Sequence, residues 1–462
     1  MLYDTISAIS TAVSPAGIGI VRLSGPDSLK IASKIFEGKK SLESITSHTL
    51  RYGHIKDQDT IIDEVLLSYM KGPHSYTGED VIEINCHGGV LPVTRVLELT
   101  YQHGARPAEP GEFTKRAFLN GRMDLSQAEA VMDVISSQNE YALQNSVSQL
   151  SGSLKKQISE IRNRIIYNTA FIESALDDPE HVSLDGFSDA LYQELDLLSD
   201  QLSHMISSAE NGRIIKEGIQ TVIVGKPNVG KSTLLNTLAG RERAIVTDIA
   251  GTTRDALEEH IRIQGLSLNV IDTAGIRFTE DVVEKIGVER AKEYADSSDL
   301  ILYIVDSSRD LDSNDEEIIQ LLQGRRFIVL MNKSDLEQIT TKDTLMQLLH
   351  THQHSQAIPI LDISAKEEEG IQEFQDLLLS MFIQGEISFD EGSCITNTRQ
   401  KYAIMEAYQS IQLVKQAIED GMPEDFYTID MMTAYDQLGQ ITGETVGEDL
   451  VNEIFSKFCT GK

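Results

Sequence analysis

The spacing of apolar residues changes character along the chain. Up to about residue 120 it has a period of two. Gly17-Ile18-Gly19-Ile20-Val21-Arg22-Leu23 sets small or polar residues against apolar ones, and strands are predicted here and over 65–70 and 81–85. Glycine and proline punctuate these runs at Gly72-Pro73, Gly88-Gly89 and 107–111, as turns require. From Asp124 the period becomes helical, with almost no Gly or Pro until Asp178-Pro179, and a second helical run covers about 187–209. Ser126 with Glu129 three residues later reads as a capping box at the start of the first run.

Near 219 the pattern changes again. Ile219-Gln220-Thr221-Val222-Ile223-Val224 is a short β-branched run, followed by buried-strand patterns at 268–271, 300–305, 327–331 and 358–361 with helical stretches between them. That alternation predicts a parallel-rich sheet with helices on both faces. Helical periodicity resumes after about 382. The expected organisation is multidomain α/β plus α: a mixed N-terminal domain (1–120), a helical bundle in two halves (121–216 and 383–462), and an α/β domain (217–382) inserted between the halves.

The chain has 462 residues, enough for about three domains at ~150 residues each, and its hydrophobic content of 40% supports packed cores. No apolar run approaches the ~20 residues of a membrane span. Met1-Leu2-Tyr3-Asp4 lacks the basic start of a secretory signal. The three cysteines, Cys86, Cys394 and Cys459, are too few for a disulfide framework and suit a reducing, cytoplasmic setting. Cys86 and Cys394 read as buried small apolar residues. Cys459, in an exposed-looking tail beside Lys462, reads either as a reactive thiolate or as redox-neutral. The eleven histidines show no metal-ligand spacing, and His54, His74 and His87 read as polar surface or satisfied core residues. The net charge of −32 argues against a general nucleic-acid binder. It divides as −2 over 1–120, −9 over 121–220, −12 over 221–380 and −9 over 381–462.

Gly225-Lys226-Pro227-Asn228-Val229-Gly230-Lys231-Ser232 follows the 219–224 strand and leads, through Thr233, into a helix. In that context the backbone N–H groups cradle phosphates, Lys231 reaches the β and γ oxygens, and Ser232 coordinates magnesium. Asp272-Thr273-Ala274-Gly275 follows the next parallel strand: Asp272 suits magnesium through water, and the Gly275 N–H suits the γ-phosphate. Asn332-Lys333-Ser334-Asp335 and Ser364-Ala365-Lys366 each follow a later strand. Asp335 can accept two hydrogen bonds from guanine that adenine does not offer, and Ser364-Ala365-Lys366 would close over the base. Gly251-Thr252-Thr253-Arg254-Asp255 supplies Thr253 as a second magnesium ligand on a loop able to switch. In this order the set resembles the G domain of translation-factor-like, Ras-like GTPases.

Two positions depart from the Ras pattern. Ile276 stands where Ras-like proteins have the water-positioning glutamine, so another group must orient water. Glu284, Arg254 and Arg277 are the candidates, beside Lys231, Thr253 and Asp255. Asn228, inside the phosphate loop, could help hold a monovalent cation where an arginine finger would otherwise act.

Outside the G domain, four segments carry a resemblance that spans the chain. They are 17–25, Ser75-Tyr76-Thr77-Gly78-Glu79-Asp80 with His87-Gly88-Gly89, 106–121, and the tail Phe458-Cys459-Thr460-Gly461-Lys462. The sequence resembles the tRNA-modification GTPase family called MnmE or TrmE. The resemblance implies an α+β N-terminal domain like tetrahydrofolate-binding folds, which mediates homodimerisation, and potassium- and GTP-dependent pairing of G domains. It implies a flavin-dependent partner, MnmG (GidA). With that partner the family adds an aminomethyl or carboxymethylaminomethyl group at C5 of the wobble uridine of certain tRNAs, using a carbon unit from 5-formyl- or methylene-tetrahydrofolate. It further implies folate contacts at Arg22, Glu83, Arg122 and Lys462. Arg122 stands where the family often has Lys, so geometry there can differ. Magnesium is implied at Ser232 and Thr253, and potassium at Asn228, Thr247, Ile249 and Thr252, within a GTP site that also includes Asp248, Ala250 and Gly251.

A ribosome-assembly GTPase of the Era or Der type, acting as an RNA-binding timing module, is the alternative, since its phosphate loop is similar. Those proteins carry basic domains after the G domain, whereas the sequence beyond 382 is acidic here. The acidity also predicts weak tRNA binding by this chain alone, with the partner supplying most of the phosphate-binding surface.

Overall fold

The computed structural model describes residues 4–241, 258–271, 294–352, 358–382 and 394–461. The chain forms two compact units: Met1–Ile135 with Ser148–Ser199 and Glu406–Lys462, and Ser136–Val147 with Asp200–Met405.

In chain order, the first unit begins with β1 (Ile6–Ile9), β2 (Ala16–Ser24), α1 (Ser28–Ile35), β3 (Phe36–Gly38), β4 (Thr49–Asp57), β5 (Thr60–Met70), β6 (Val81–Gly88), α2 (Val90–Gln102), β7 (Arg106–Pro107) and α3 (Glu112–Leu119). The seven strands form one sheet in the order β3-β4-β5-β6-β2-β1-β7. The alternation read in the sequence becomes two faces. Val21, Leu23, Leu67, Ile82 and Ile84 point into a core closed by Ile31 and Ile35 of α1 and Val93, Val96 and Leu99 of α2. Arg22 and Glu83, on the intervening positions, are direct cross-strand partners. The sequence pattern did not isolate β1, β3, β4 or β7.

Helices follow: α4 (Leu125–Ser136), α5 (Glu140–Leu150), α6 (Ser153–Asp177) and α7 (Phe187–Glu217). The cap of α4 corrects the sequence reading. Gln127 N donates to Asp124 Oδ1 at 2.9 Å and Asp124 N donates to Gln127 Oε1 at 3.1 Å, so the capping box is Asp124/Gln127, two residues before the expected Ser126/Glu129. The Asp124 carboxylate outcompetes the hydroxyl, and Ser126 instead donates to it at 2.6 Å. Helix α6 ends just before Asp178-Pro179, since the proline cannot continue the ladder.

The second unit contains β8 (Ile219–Val224), α8 (Lys231–Arg241), β9 (Glu258–Ile263), β10 (Leu266–Ile271), β11 (Leu300–Asp306), α9 (Ser313–Leu321), β12 (Phe327–Asn332), α10 (Lys342–Thr351), β13 (Ile360–Asp362) and α11 (Ile371–Phe382). Its sheet runs β13-β12-β11-β8-β10-β9. All pairs are parallel except β9–β10, an antiparallel edge. Alternate residues of the central strands feed two cores. Ile223, Leu302, Ile304 and Leu330 meet α8 and α11 on one face. Val222, Tyr303, Val305 and Met331 meet α9 and α10 on the other. Strands buried on both faces read as the continuous apolar runs seen in the sequence. The chain ends with α12 (Thr398–Glu419), α13 (Asp425–Thr442) and α14 (Glu448–Ser456). In the first unit, α6 packs along α13, where buried Arg162 pairs with Glu444 and stacks 4.0 Å over the Tyr435 ring.

Candidate functional site

The phosphate loop starts where β8 ends and closes where α8 begins. Gly225, Asn228 and Gly230 take φ values of +155°, +63° and +103°, a backbone path that suits glycine and, next best, asparagine. The glycines also admit close neighbours: a Cβ on Gly225 would lie 2.5 Å from the Ile304 carbonyl, and one on Gly230 would lie 2.1 Å from Asn332 Nδ2. Lys231 Nζ donates to the carbonyls of Gly225 (2.6 Å) and Lys226 (2.9 Å), which holds its ammonium across the loop mouth. Asn228, Ser232 and Thr233 are exposed there and Val229 is buried beneath them. The first turn of α8 adds helix N-terminal N–H groups and a positive dipole end, a donor set that fits nucleotide phosphates, with the Ser232 hydroxyl suited to a magnesium ion.

The base-side motifs are stitched to this loop. Asn332 Nδ2 donates to Val229 O at 2.7 Å, and Asn332 Oδ1 accepts from Ala365 N at 3.0 Å. Thr237 of α8 donates to Ala365 O at 2.8 Å. Asp335 Oδ1 accepts from Ser364 Oγ at 2.6 Å, so the carboxylate expected to read guanine is oriented by the last motif. Lys333, at φ +66°, extends to Asp306 at 2.5 Å. Burial pushes the Asp306 carboxyl up, but the Lys333 ammonium and the donors of Ser308 outweigh it and hold the group below the usual carboxylate range. Lys366 is exposed and reaches Glu367.

A second constellation lies on the first unit's sheet. Arg22 donates through Nε to Glu83 Oε1 at 2.9 Å, with Nη2 2.8 Å from the same oxygen. Its guanidinium lies 5.3 Å from the centre of the Tyr76 ring and 5.6 Å from that of Phe113. Tyr76 and Thr114 share a hydrogen bond of 2.8 Å. Burial raises the Tyr76 hydroxyl against the lowering effect of its hydrogen bond to Thr114 and of the Arg22 and Arg122 charges. The C-terminal tail arrives here too. Gly461 O accepts from Ser10 Oγ at 3.0 Å and from Arg22 Nη1 at 3.5 Å, and Cys459 O accepts from Gly111 N at 3.3 Å. A guanidinium paired with a carboxylate beside two aromatic rings is a polar and aromatic set of the kind a flat, polar-edged heterocycle such as that of a folate could meet.

Thus Arg22, Glu83 and the tail are brought together, as are Asn228 to Thr233 with 332–335 and 364–366, while Arg122 is exposed just after α3. Thr247, Asp248, Ile249, Ala250, Gly251, Thr252, Thr253, Arg254, Asp255, Asp272, Thr273, Ala274, Gly275, Ile276, Arg277, Glu284 and Lys462 lie outside the described residues. Cys86 and Cys394 are buried, and burial, with Asp63 nearby, pushes the Cys86 thiol up to about 12. Cys459 is exposed. His87 is a surface residue whose Nδ1 lies 2.6 Å from Asp63. Sequence reasoning missed Asp306. It also missed the pairs of Lys226 with Asp315 (2.6 Å) and Asp312 (3.0 Å), and the buried Arg116 held by Asp4, Glu79 and Glu112. Only the i,i+4 spacing of Glu112 and Arg116 signalled any of these.

Comparison with known proteins covers the whole chain. A family model described as the MnmE helical domain matches residues 125–459, and one described as the GTP-binding protein TrmE N-terminus matches 5–122. The tRNA modification GTPase MnmE of Lachnoclostridium phytofermentans is 52% identical over 465 residues, covering 100% of both chains. That of Clostridioides difficile is 49% identical over 461 residues, covering 99% of each. A crystal structure of Aquifex aeolicus Era bound to GDP.AlF4- is 32% identical across 42% of this chain and 66% of that one, at a TM-score of 0.28.

Proposed function

The chain belongs to the MnmE family of tRNA-modification GTPases, and from that premise we propose that it is a potassium-dependent GTPase. With the flavin-dependent partner MnmG and a folate carbon unit, it installs the aminomethyl or carboxymethylaminomethyl group on the wobble uridine of certain tRNAs. The observation that carries this reading is the pairing of two sites in one chain: the phosphate loop stitched to Asp335 through Asn332 and Ser364, and the Arg22–Glu83 cluster closed by the C-terminal tail. The second has no role in the Era or Der alternative, whose reading is further disfavoured by full-length relatives named MnmE.

In the nucleotide site, Lys231 neutralises the β and γ oxygens and the N–H groups of the loop orient them. Asp335, exposed in the free chain, selects guanine, because adenine stacked over it would cover an acceptor without offering it donors. Ser232 and Thr253 hold magnesium, and Asn228, Thr247, Ile249 and Thr252 hold potassium. These ions supply positive charge for the transition state. Glu284 orients water, with Arg254, Asp255 and Arg277 beside it. In the folate site, Glu83 accepts from the heterocycle's N–H groups, and Arg22, Arg122 and Lys462 meet its carbonyl and tail carboxylates. Cys459 stands beside them on the tail. Homodimerisation through the N-terminal domain and pairing of two G domains bring hydrolysis under control of the assembly.

The test is reconstitution with purified flavin-loaded partner and its reductant, unmodified tRNA, GTP, 5,10-methylene-tetrahydrofolate and ammonium or glycine as the amine donor, read by mass spectrometry of tRNA nucleosides. The modified uridine should form in potassium and fail in sodium, and it should fail without folate. Equal yields in sodium would remove the potassium role, and equal yields without folate would remove the second site.

A further inference from the structure

Lys226 is the second residue of the phosphate loop, yet its charge is committed elsewhere. Its Nζ lies 2.6 Å from Asp315 Oδ2 and 3.0 Å from Asp312 Oδ2. Asp315 sits in the first turn of α9 with its side chain 1% exposed. Its carboxylate also accepts from Tyr303 Oη at 2.9 Å and from Asp312 N at 2.9 Å. Tyr303 itself is fully buried in β11. The anchor for Lys226 is therefore built into the sheet and a helix cap. At the other end, the Lys226 carbonyl is one of the two acceptors that hold Lys231 Nζ.

We propose that Asp315, supported by Tyr303, is a positioning residue for the nucleotide site. By gripping the Lys226 side chain it fixes the Lys226 carbonyl, and that carbonyl aims the Lys231 ammonium at the di- and triphosphate of a guanine nucleotide. Lys226 contributes alignment and not phosphate neutralisation, because two aspartates already balance it. A preformed loop saves the ligand the cost of ordering it.

This deepens the reading of the loop as a nucleotide site and rests on it. The experiment measures fluorescent mant-GDP and mant-GTP affinity for wild type, Lys226→Met, Asp315→Asn and the double variant, each checked for folding by thermal melting. Each single variant should lose roughly tenfold in affinity, the scale of a lost charged hydrogen bond. The double variant should lose no more than the worse single, because both act through one contact. Additive losses would show that Asp315 serves only as a helix cap, and wild-type affinity in Lys226→Met would overturn the proposal. If Asp315→Asn fails to fold, Lys226→Met, which leaves the cap intact, decides alone. Absence of binding by wild type would overturn the nucleotide site itself, a separate outcome.

Discussion

Asn332 uses both ends of one side-chain amide on the backbone of two other motifs, Val229 and Ala365. Replacing it with Ala leaves two buried groups unpaired, at about 1–3 kcal/mol each. Asn332→Ala should therefore bind nucleotide more weakly and melt earlier, both measurable on one preparation. Two titrations belong to this scale. The hydrogen bond to Asp63, and then its charge, raise the His87 ring above its ordinary 6.5. The pair is thus complete below that value and is lost as pH rises through the raised one. NMR titration should show the elevated midpoint in wild type and a lower one in Asp63→Asn. Asp306 has the opposite sign: its support of Lys333 is complete above the ordinary 3.8 and is lost as pH falls through its lower folded value. Lys333→Met should shift acid unfolding to higher pH. The phosphate loop and the 332–335 and 364–366 motifs were legible in the sequence because each is local, and the structure joins these three. Asp306 and Asp315 were not, because they stand 27 and 89 residues from the lysines they hold, and only strand order brings them together.

Elements were legible in proportion to how they are buried. Strands β8, β11 and β12 are covered on both faces or nearly so, and their unbroken apolar runs matched the expected spans within a residue. β9, an antiparallel edge reading Glu-Glu-His-Ile-Arg-Ile, buries Ile261 and Ile263 but shows little pattern over so few residues. β4 alternates weakly and holds its place by pairing with β5 along its whole length. At the head of α4, the cap was sought at Ser126 and stands at Asp124, since several acceptors compete over three residues and geometry chooses between them. Asp124→Ala should cost about 1 kcal/mol in thermal or denaturant unfolding. Ser126→Ala should cost less, having no backbone N–H to release. Gly111 belongs here as well: its φ is +69°, and a Cβ on it would lie 2.5 Å from the Phe455 carbonyl of α14, so only glycine lets the terminal helix lie against the start of α3.

At the scale of the molecule, the charge bears on the proposed role with tRNA. The first 120 residues carry −2 of the −32 and hold the Arg22 cluster, while the remaining acidity covers the helical and nucleotide-binding segments. Among the described residues no helix is long and apolar enough to cross a membrane. Under the proposed function, a chain so acidic should bind tRNA weakly alone and more tightly when the proposed partner is added, with a shallow salt dependence for the chain by itself. The most direct test of the function is nucleoside analysis of tRNA from cells lacking this gene, complemented with wild type or with Gly230→Val. Gly230→Val would force a side chain into Asn332 at a φ of +103°. The wobble-uridine modification should disappear in the deletion, return with wild type and stay absent with Gly230→Val. An unchanged wobble uridine in the deletion would show that this chain does not take part in the modification.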